Sequence, residues 1–522
     1  FCLSSGLGDV YKRQGKRTIN SWHEKQRILS FFGRLNYDFK DKYLLSFVFR
    51  RDGYSSLLGD NRWGFFPGVS AGWIFGREDF IKEAIPVMSF GKLRASYGIN
   101  GNASGIGAYT LQGSYGSSNS NGSFNYNGNT SYLITELPNP NLRWEKTATF
   151  EVGADLSFFA NRLNTNLTYY NRLTSDKYAA LSFPTSTGFS SVTNNNGEFR
   201  NQGIEIELSG KIIDSKDWTW SASGNIAFNK NKIVSLPDNG MERNRINAFQ
   251  VYTGNGDEKK WVGGQQEGQE PGILYLYQAD GIYRSYDEIP ANLVRKYGSR
   301  TYYGPEAWNK LTAEQQNATT NFPIQPGDTK FHDVNGDDVI DEFDKVKVGA
   351  TSPRWTGGFN TTLRWKNFQL YGRFDYALGF WLYENSGTQS TTPWFMGCYQ
   401  GTYNTPTMYY DTWSESNPNA KYPRYLFADQ NGKNNYIAST MFAYRGDYLA
   451  IREISLSYSL PESVAKMLKM QRAEVSITGQ NLGYITGAKN VGSPEANPKD
   501  NGAVGQGYSL PRTILFGVNL TF

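Results

Sequence analysis

The chain has 522 residues, with 53 Lys and Arg against 48 Asp and Glu and a net charge of +5, too mild a surplus at this length to point to nucleic acid or an anionic surface as the main partner. Mean hydropathy is −0.57 and no run of about 18 apolar residues occurs, which excludes transmembrane helices; two Cys exclude a disulfide framework, and two His leave little for His-based catalysis or His-rich metal sites. Aromatic residues make up 15% of the chain beside 55 Gly, and with abundant Asn, Ser and Thr this is the composition of long strands joined by polar loops.

Phe1–Gln14 has neither an initiator Met nor the basic and apolar regions of a signal peptide. It reads as translated adapter sequence, so residues 1–14 are expected to be foreign and 15–522 the protein itself. From there, period-2 alternation recurs, and a strand turns that pattern into one apolar and one polar face. It is present near 28–38, 42–50 and 89–98. Phe150, Val152, Ala154, Leu156 and Phe158 then oppose Thr149, Glu151, Asp155 and Ser157, with a further segment near 163–171. Ile204, Ile206, Leu208 and Ile212 oppose Glu205, Glu207, Ser209 and Lys211, and Trp218, Trp220, Ala222, Ile226 and Phe228 oppose Thr219, Ser221, Ser223, Asn225 and Asn229. After 354–365, Phe368, Leu370, Phe374 and Tyr376 oppose Gln369, Arg373 and Asp375. Leu449–Ile454 places apolar residues on both faces and predicts a bulge. Alternation resumes near 473–481 and closes with Ile514, Phe516, Val518, Leu520 and Phe522 on one stripe that ends the chain on an aromatic residue. Roughly fourteen strands are expected, many of ten or more residues, where soluble sheets favour about five or six.

Strand length and loop asymmetry argue for a membrane barrel. Crossing a bilayer at a tilt takes about 9–11 residues. Lys40-Asp41, Asn161-Arg162 and Asp214–Asp217 are short turns, whereas connections around 100–142, 232–271, 284–352 and 384–440 are long, and short turns on one side with long loops on the other mark such barrels. Trp144, Trp218, Trp220, Trp355, Trp365 and Tyr458 stand near strand ends, where interfacial girdles form. Within the loops, Thr312-Ala-Glu-Gln315 is a capping box that predicts a short helix, and residues 119–128 form a polar loop.

Several stretches in chain order carry a family resemblance. They are Arg51–Ser56, Asn61–Trp73, Lys92–Asn102, Asn139–Lys146, Asn201–Glu205, Pro326–Asp328, Asp333–Asp337, Asn417–Arg424, Gly446–Leu449 and Gln480–Leu482. Together they resemble the C-terminal barrel portion of SusC/RagA-like TonB-linked outer-membrane proteins of Bacteroidetes, also called TonB-dependent receptors. The resemblance implies an all-β fold: a transmembrane antiparallel β-barrel of about 22 strands with long extracellular loops and short periplasmic turns. The present chain would hold roughly fourteen of those strands and lack the plug and the first strands. It further implies an energised importer of oligosaccharides or oligopeptides in the outer membrane. The partners would be a SusD-like surface lipoprotein over the loops and TonB–ExbB–ExbD acting through the plug. A passive porin-like channel, a secreted glycan-binding β-protein and a surface enzyme are the rivals.

Two loop features are candidate sites. In Asp333-Val-Asn-Gly-Asp-Asp-Val-Ile-Asp-Glu-Phe-Asp344, the residues Asp333, Asn335, Asp337, Val339, Asp341 and Asp344 fall at the spacing of an EF-hand-like Ca²⁺ loop, because a hard cation needs several oxygens converging on one point. Asp338 stands where Gly is usual and Asp344 replaces the bidentate Glu, so weaker affinity, Mg²⁺, or an Asx-turn loop without an ion stay open. The second feature is aromatic: Trp381, Trp394, Phe395, Tyr399, Tyr403 and Trp413, with Tyr409 and Tyr410 beside them, can stack on the apolar faces of sugar rings, pack the loop, or anchor a partner protein. Lys92, Arg94, Glu205, Glu207, Arg373 and Asp375 are expected on the inner face as solvated or paired wall residues. No catalytic motif stands out, and Cys398 is expected to be a free thiol.

Overall fold

The computed structural model describes residues 25–116, 125–126, 129–130, 132–383, 411–424, 437–488, 493–495 and 510–522; the segment expected to be foreign lies outside these. Thirteen strands form one sheet in which each pairs with its sequence neighbour in the wall. They are β1 (Ile28–Phe39), β2 (Tyr43–Tyr54), β3 (Trp63–Trp73), β4 (Met88–Asn102), β5 (Glu145–Phe158), β6 (Leu163–Ser182) and β7 (Ser191–Asp214), then β8 (Trp218–Ser235), β9 (Trp355–Trp365), β10 (Phe368–Leu378), β11 (Tyr448–Ser459), β12 (Arg472–Thr486) and β13 (Thr513–Thr521). Every pairing between them is antiparallel.

The register turns the alternation of single strands into continuous rows. Val152, Tyr169, Ile204, Phe228 and Trp355 stand side by side across β5 to β9, and Ala154, Leu167, Ile206, Ile226 and Gly357 form the next row. These rows are the outer face. The alternate residues, including Lys92, Arg94, Asp155, Glu205, Glu207, Asn225, Asn360, Arg373 and Asp375, form the inner one. From Ile204 to Ile212 the outer stripe of β7 runs about 26 Å along the strand, which a tilted crossing of the hydrocarbon layer requires. On β13 the expected stripe is present, with Phe516 82% exposed.

Connections sort by side. Residues 40–42, 74–87, 159–162, 215–217, 366–367 and 460–471 join strands at one end, and 55–62, 103–144, 183–190, 236–354, 379–447 and 487–512 at the other. The short turns use left-handed backbone: Lys40, Asp41, Asn161 and Lys366 all have positive φ, which an Asn or Asp tolerates and a β-branched residue resists. The two expected long loops at 232–271 and 284–352 are one connection. The stretch between them makes short pairings of its own, Ile273–Tyr277 with Lys345–Ala350 and Ala279–Ile282 with Thr329–Phe331.

Aromatic residues border the apolar rows. Trp218, Trp365, Phe368 and Tyr458 make a contiguous line at the short-turn end, with centroids 5.6, 6.0 and 4.6 Å apart. Trp355 pairs with Phe228 at the other end, 4.8 Å away. Trp220 faces outward and donates its indole N–H to Thr361. Trp144 differs from expectation: it is buried against Tyr54 and Phe66 at the loop end, where its N–H reaches the Arg62 carbonyl.

The predicted bulge is present. Register shifts at Ile451–Glu453 against both neighbours: Arg452 is the extra residue against β10, and against β12 it faces two, Asn481 and Leu482. β3 escapes the alternation pattern because Gly64, Pro67, Gly68 and Gly72 interrupt it. Pairing with β4 begins only at Gly68, since a proline has no N–H to give a ladder. On β7, Leu208→Arg should cost about 2–4 kcal/mol as a charge at mid-bilayer, while Glu207→Gln on the inner face should be near neutral. Urea unfolding in lipid vesicles checks both.

Candidate functional site at the loop end

The described residues of the connections 236–354 and 379–447 fold into one packed body above the wall. Its core is Tyr277, Tyr283, Ile289, Leu293, Tyr302, Ile324, Phe331, Ile340 and Ile437. A second cluster of Leu276, Tyr383, Tyr422 and Phe442 ties the two connections together. The backbone N–H of Tyr277 donates to Ala438, and that of Ala279 to the Thr440 hydroxyl. The expected helix is there as Ala313–Gln316, with Thr312 and Gln315 exchanging both bonds of the capping box.

The acidic loop lies on this body. Gly336 and Asp338 have φ of 76° and 62°, so Asp338 adopts the left-handed turn that Gly usually provides at that place. Its carboxylates are turned onto the loop's own backbone. Asp333 accepts from the N–H groups of Gly336 and Asp338, Asp337 from Val339, Asp341 from Phe343, and Asp344 from both Val334 and Asp341, at 2.7–2.9 Å. Among the described residues no three His, Cys, Asp or Glu side chains converge on one point. Asp344 is fully buried, and burial, with Asp341 and Asp333 adding like charge, pushes its carboxyl up to about 6. Asn335 donates to Asp257 at 2.8 Å, while its side-chain oxygen is sealed from solvent without a donor. Asp257 comes from a different hairpin and has no place in the sequence motif, so spacing alone does not reveal it.

Of the aromatic candidates, Trp381 and Trp413 are described; Trp394, Phe395, Tyr399 and Tyr403 lie outside the described residues, as do Tyr409, Tyr410 and Cys398. Trp381 sits on Trp381–Tyr383, which pairs with Ala443–Arg445, and the Arg445 guanidinium stands 5.3 Å from its ring. Trp413 lies against Gly327, where a Cβ would come within 2.4 Å of the ring. Close by, Arg424 bonds Asp328 and Gln325, each at 2.6 Å. The two rings are thus held by different neighbours, and Trp413 is part of the packing that clamps residues 411–424 to 325–328.

On the inner wall, Arg94 is a hub: it bonds Asp155 at 3.3 Å, Asn166 at 2.9 Å, and Thr168. Arg172 pairs with Glu151 at 3.3 Å. Arg373 stands 3.9 Å from Asp375. Glu205 and Glu207 lie on the same face, where Glu207, Asp155, Asn225, Asn360, Arg373 and Asp375 border a hollow of about 720 Å³. The bulge supplies the residue that the sequence reading missed. Arg452 bonds Asp375 at 2.7 Å and also Glu495, which in turn accepts from Tyr484 at 2.9 Å. An inserted residue re-aims a side chain in this way, and the broken alternation at Leu449–Ile454 was the signal for it. The inner face is therefore polar and charged, with Arg94, Arg172 and Arg452 each bonded to carboxylates of the wall and the adjoining loop.

The description "TonB dependent receptor-like, beta-barrel" belongs to the family model that matches residues 4–301. TonB-dependent receptor P3 of Formosa agariphila is 29% identical over 512 residues, covering 96% of this chain and 46% of that protein. TonB-dependent receptor SusC of Bacteroides thetaiotaomicron is 27% identical over 522 residues, covering 97% and 45%. In fold, the chain is similar to a solved structure of the RagAB peptide transporter, with a TM-score of 0.69 at 23% identity over 98% of this chain and 50% of that one. It spans about half the length of the curated relatives it matches. With apolar rows outside, polar rows inside, aromatic borders, loops sorted by side and a family match over more than half its residues, the chain belongs to the TonB-dependent receptor β-barrel family of the outer membrane.

Proposed function

We propose that this chain is wall and loop body of an energised outer-membrane importer for oligosaccharides or oligopeptides. A SusD-like lipoprotein covers the long loops, and TonB–ExbB–ExbD drives transport through a plug in the lumen. The observation that carries this reading is the polar, arginine-bearing inner wall lying beneath a packed loop body. A passive channel is the rival, and energy dependence separates the two. Uptake of labelled oligopeptides and oligosaccharides by cells carrying the receptor should stop when the proton-motive force is collapsed; uptake that continues supports the channel.

For the aromatic group, the reading is ligand contact by Trp394, Phe395, Tyr399 and Tyr403, with Trp381 and Trp413 fixing the surrounding loop. An aromatic face contributes about 0.5–1.5 kcal/mol to such a contact. Trp394→Ala with Trp413→Ala should reduce uptake roughly tenfold, the equivalent of about 1.4 kcal/mol, while heat-modifiable gel migration shows normal barrel assembly.

The acidic loop is proposed to take Ca²⁺ as a brace for the loop body. Its donors are all oxygens, Asn335 offers a sealed oxygen without a donor, and Asp344 is a buried carboxylate, a set that suits a hard cation. Asp333, Asn335, Asp337, Asp341, Asp344 and the Val339 carbonyl would hold it, and its part is rigidity, not chemistry. Calorimetry of the detergent-solubilised receptor with millimolar Ca²⁺ should give a binding heat that Asp333→Ala removes. Absence of heat in the unaltered protein sinks the idea.

A further inference from the structure

The outer face is not uniform around the wall. Across β6 to β10 a shallow groove of about 750 Å³ opens on the lipid side, bordered by Leu163, Ile212, Trp220, Ile226, Phe359 and Tyr376. Its floor is low because Gly210, Ala222 and Gly224 occupy outward positions where neighbouring strands carry large side chains. Tyr376 lies flat across Gly357 and gives its hydroxyl proton to the Asn225 carbonyl at 3.0 Å, so one wall of the groove is locked in place.

Following the same face of β7 and β8 towards the long loops, the polarity reverses within one row. Above Ile204 and Phe228 come Gln202 opposite Lys230, and then Arg200 opposite Lys232. Two cations directly across from each other on neighbouring strands repel. Among the described residues, Arg200, Lys230 and Lys232 form no ion pair with any carboxylate. Glu198 stands one outward position beyond Arg200 and does not pair with these cations, while Glu267 and Glu270, on the segment that bonds to β8 at Ile233, are engaged by Leu236 and Asn244 and by Arg354 respectively. The Arg200 Nε is sealed from solvent and has no acceptor. A folded wall that sets three cations together on its lipid side, none of them ion-paired, is complementary to an anion supplied by the membrane.

We propose that this face binds one phosphorylated, multiply acylated glycolipid of the outer leaflet, with phosphate on Arg200, Lys230 and Lys232 and an acyl chain in the groove. The spacing fits. Ile226 and Lys230 are four residues apart on one strand, about 13 Å, which leaves room for a sugar headgroup beside Phe228 and Trp355 before the chain descends. The leaflet is fixed by the loops, since the cations lie at the long-loop, extracellular end. Neither feature depends on what the receptor imports, so failure of the import reading leaves this one standing.

The test is lipid retention by the receptor purified from outer membranes in mild detergent, read by mass spectrometry, with heat-modifiable migration as the check on folding. The unaltered protein should retain a phosphoglycolipid in stoichiometric amount. Lys230→Gln with Lys232→Gln should lower retention about tenfold, and Lys230→Arg with Lys232→Arg should keep it. Ala222→Trp, which fills the groove and leaves the cations in place, should also lower it; Ile226→Trp serves if that variant does not fold. Equal retention by all variants overturns the proposal. So does retention of glycerophospholipid in place of phosphoglycolipid, or an Ala222→Trp effect on self-association alone, which would make the groove a contact between copies.

Discussion

Backbone hydrogen bonding without water is the constraint on which the rest of this molecule depends. In hydrocarbon, an unpaired N–H or C=O costs several kcal/mol, so a strand can cross only if both its edges are paired. The eleven strands from β2 to β12 meet that demand by pairing along both edges with their neighbours in sequence, while β1 and β13 each pair along one edge among the described residues, and the demand explains the exceptions too. Pro67, with no N–H to offer, marks the point where the β3–β4 ladder stops. The bulge that frees Arg452 from the ladder puts a guanidinium where three acidic and phenolic groups of the inner wall and adjoining loop converge. Other departures from regular pairing fall at strand ends, as at Met88–Phe90, Lys211–Ile213 and Glu198–Phe199, where water can satisfy the backbone.

Once the wall is fixed in this way, the loop end is free of the pairing constraint and folds on its own terms. Its connections are far from tails: tyrosine-rich packing and the Arg424–Asp328 pair, with Asp328 fully buried, hold two of them together as one body. This packed body stands above the polar, charged inner face of the wall. The wall contributes rows of polar and charged oxygen- and nitrogen-bearing side chains on its inner face.

The outer face also has local character. Most of it is what any hydrocarbon-facing surface must be. On β7 and β8, however, glycine and alanine lower the surface in one place, and a few residues away lysine and arginine accumulate without acidic partners. Neither pattern helps the fold: missing side chains forgo packing, and like charges opposite each other cost energy. A surface that accepts both penalties side by side is shaped for a molecule that compensates them.

Much of the fold was legible in the sequence, because a strand's period of two is written residue by residue. The stripes at 150–158, 204–212 and 514–522, the bulge within Leu449–Ile454 and the capping box at Thr312 all follow from local chemistry. β3 was not, because Gly and Pro erase the alternation, and Trp144 turned inward to a core that only the neighbouring strands create. The acidic spacing from Asp333 to Asp344 was visible, but where its oxygens point was not. Backbone amides a few residues away compete for each carboxylate, and Asp257 arrives from a hairpin far off in the chain. Sequence by itself thus determined which residues face lipid and which face water, since that depends on one strand at a time. Only the tertiary structure decided which charges meet, where the loops pack and where the outer face is hollow, because register brings together side chains that no spacing along the chain relates.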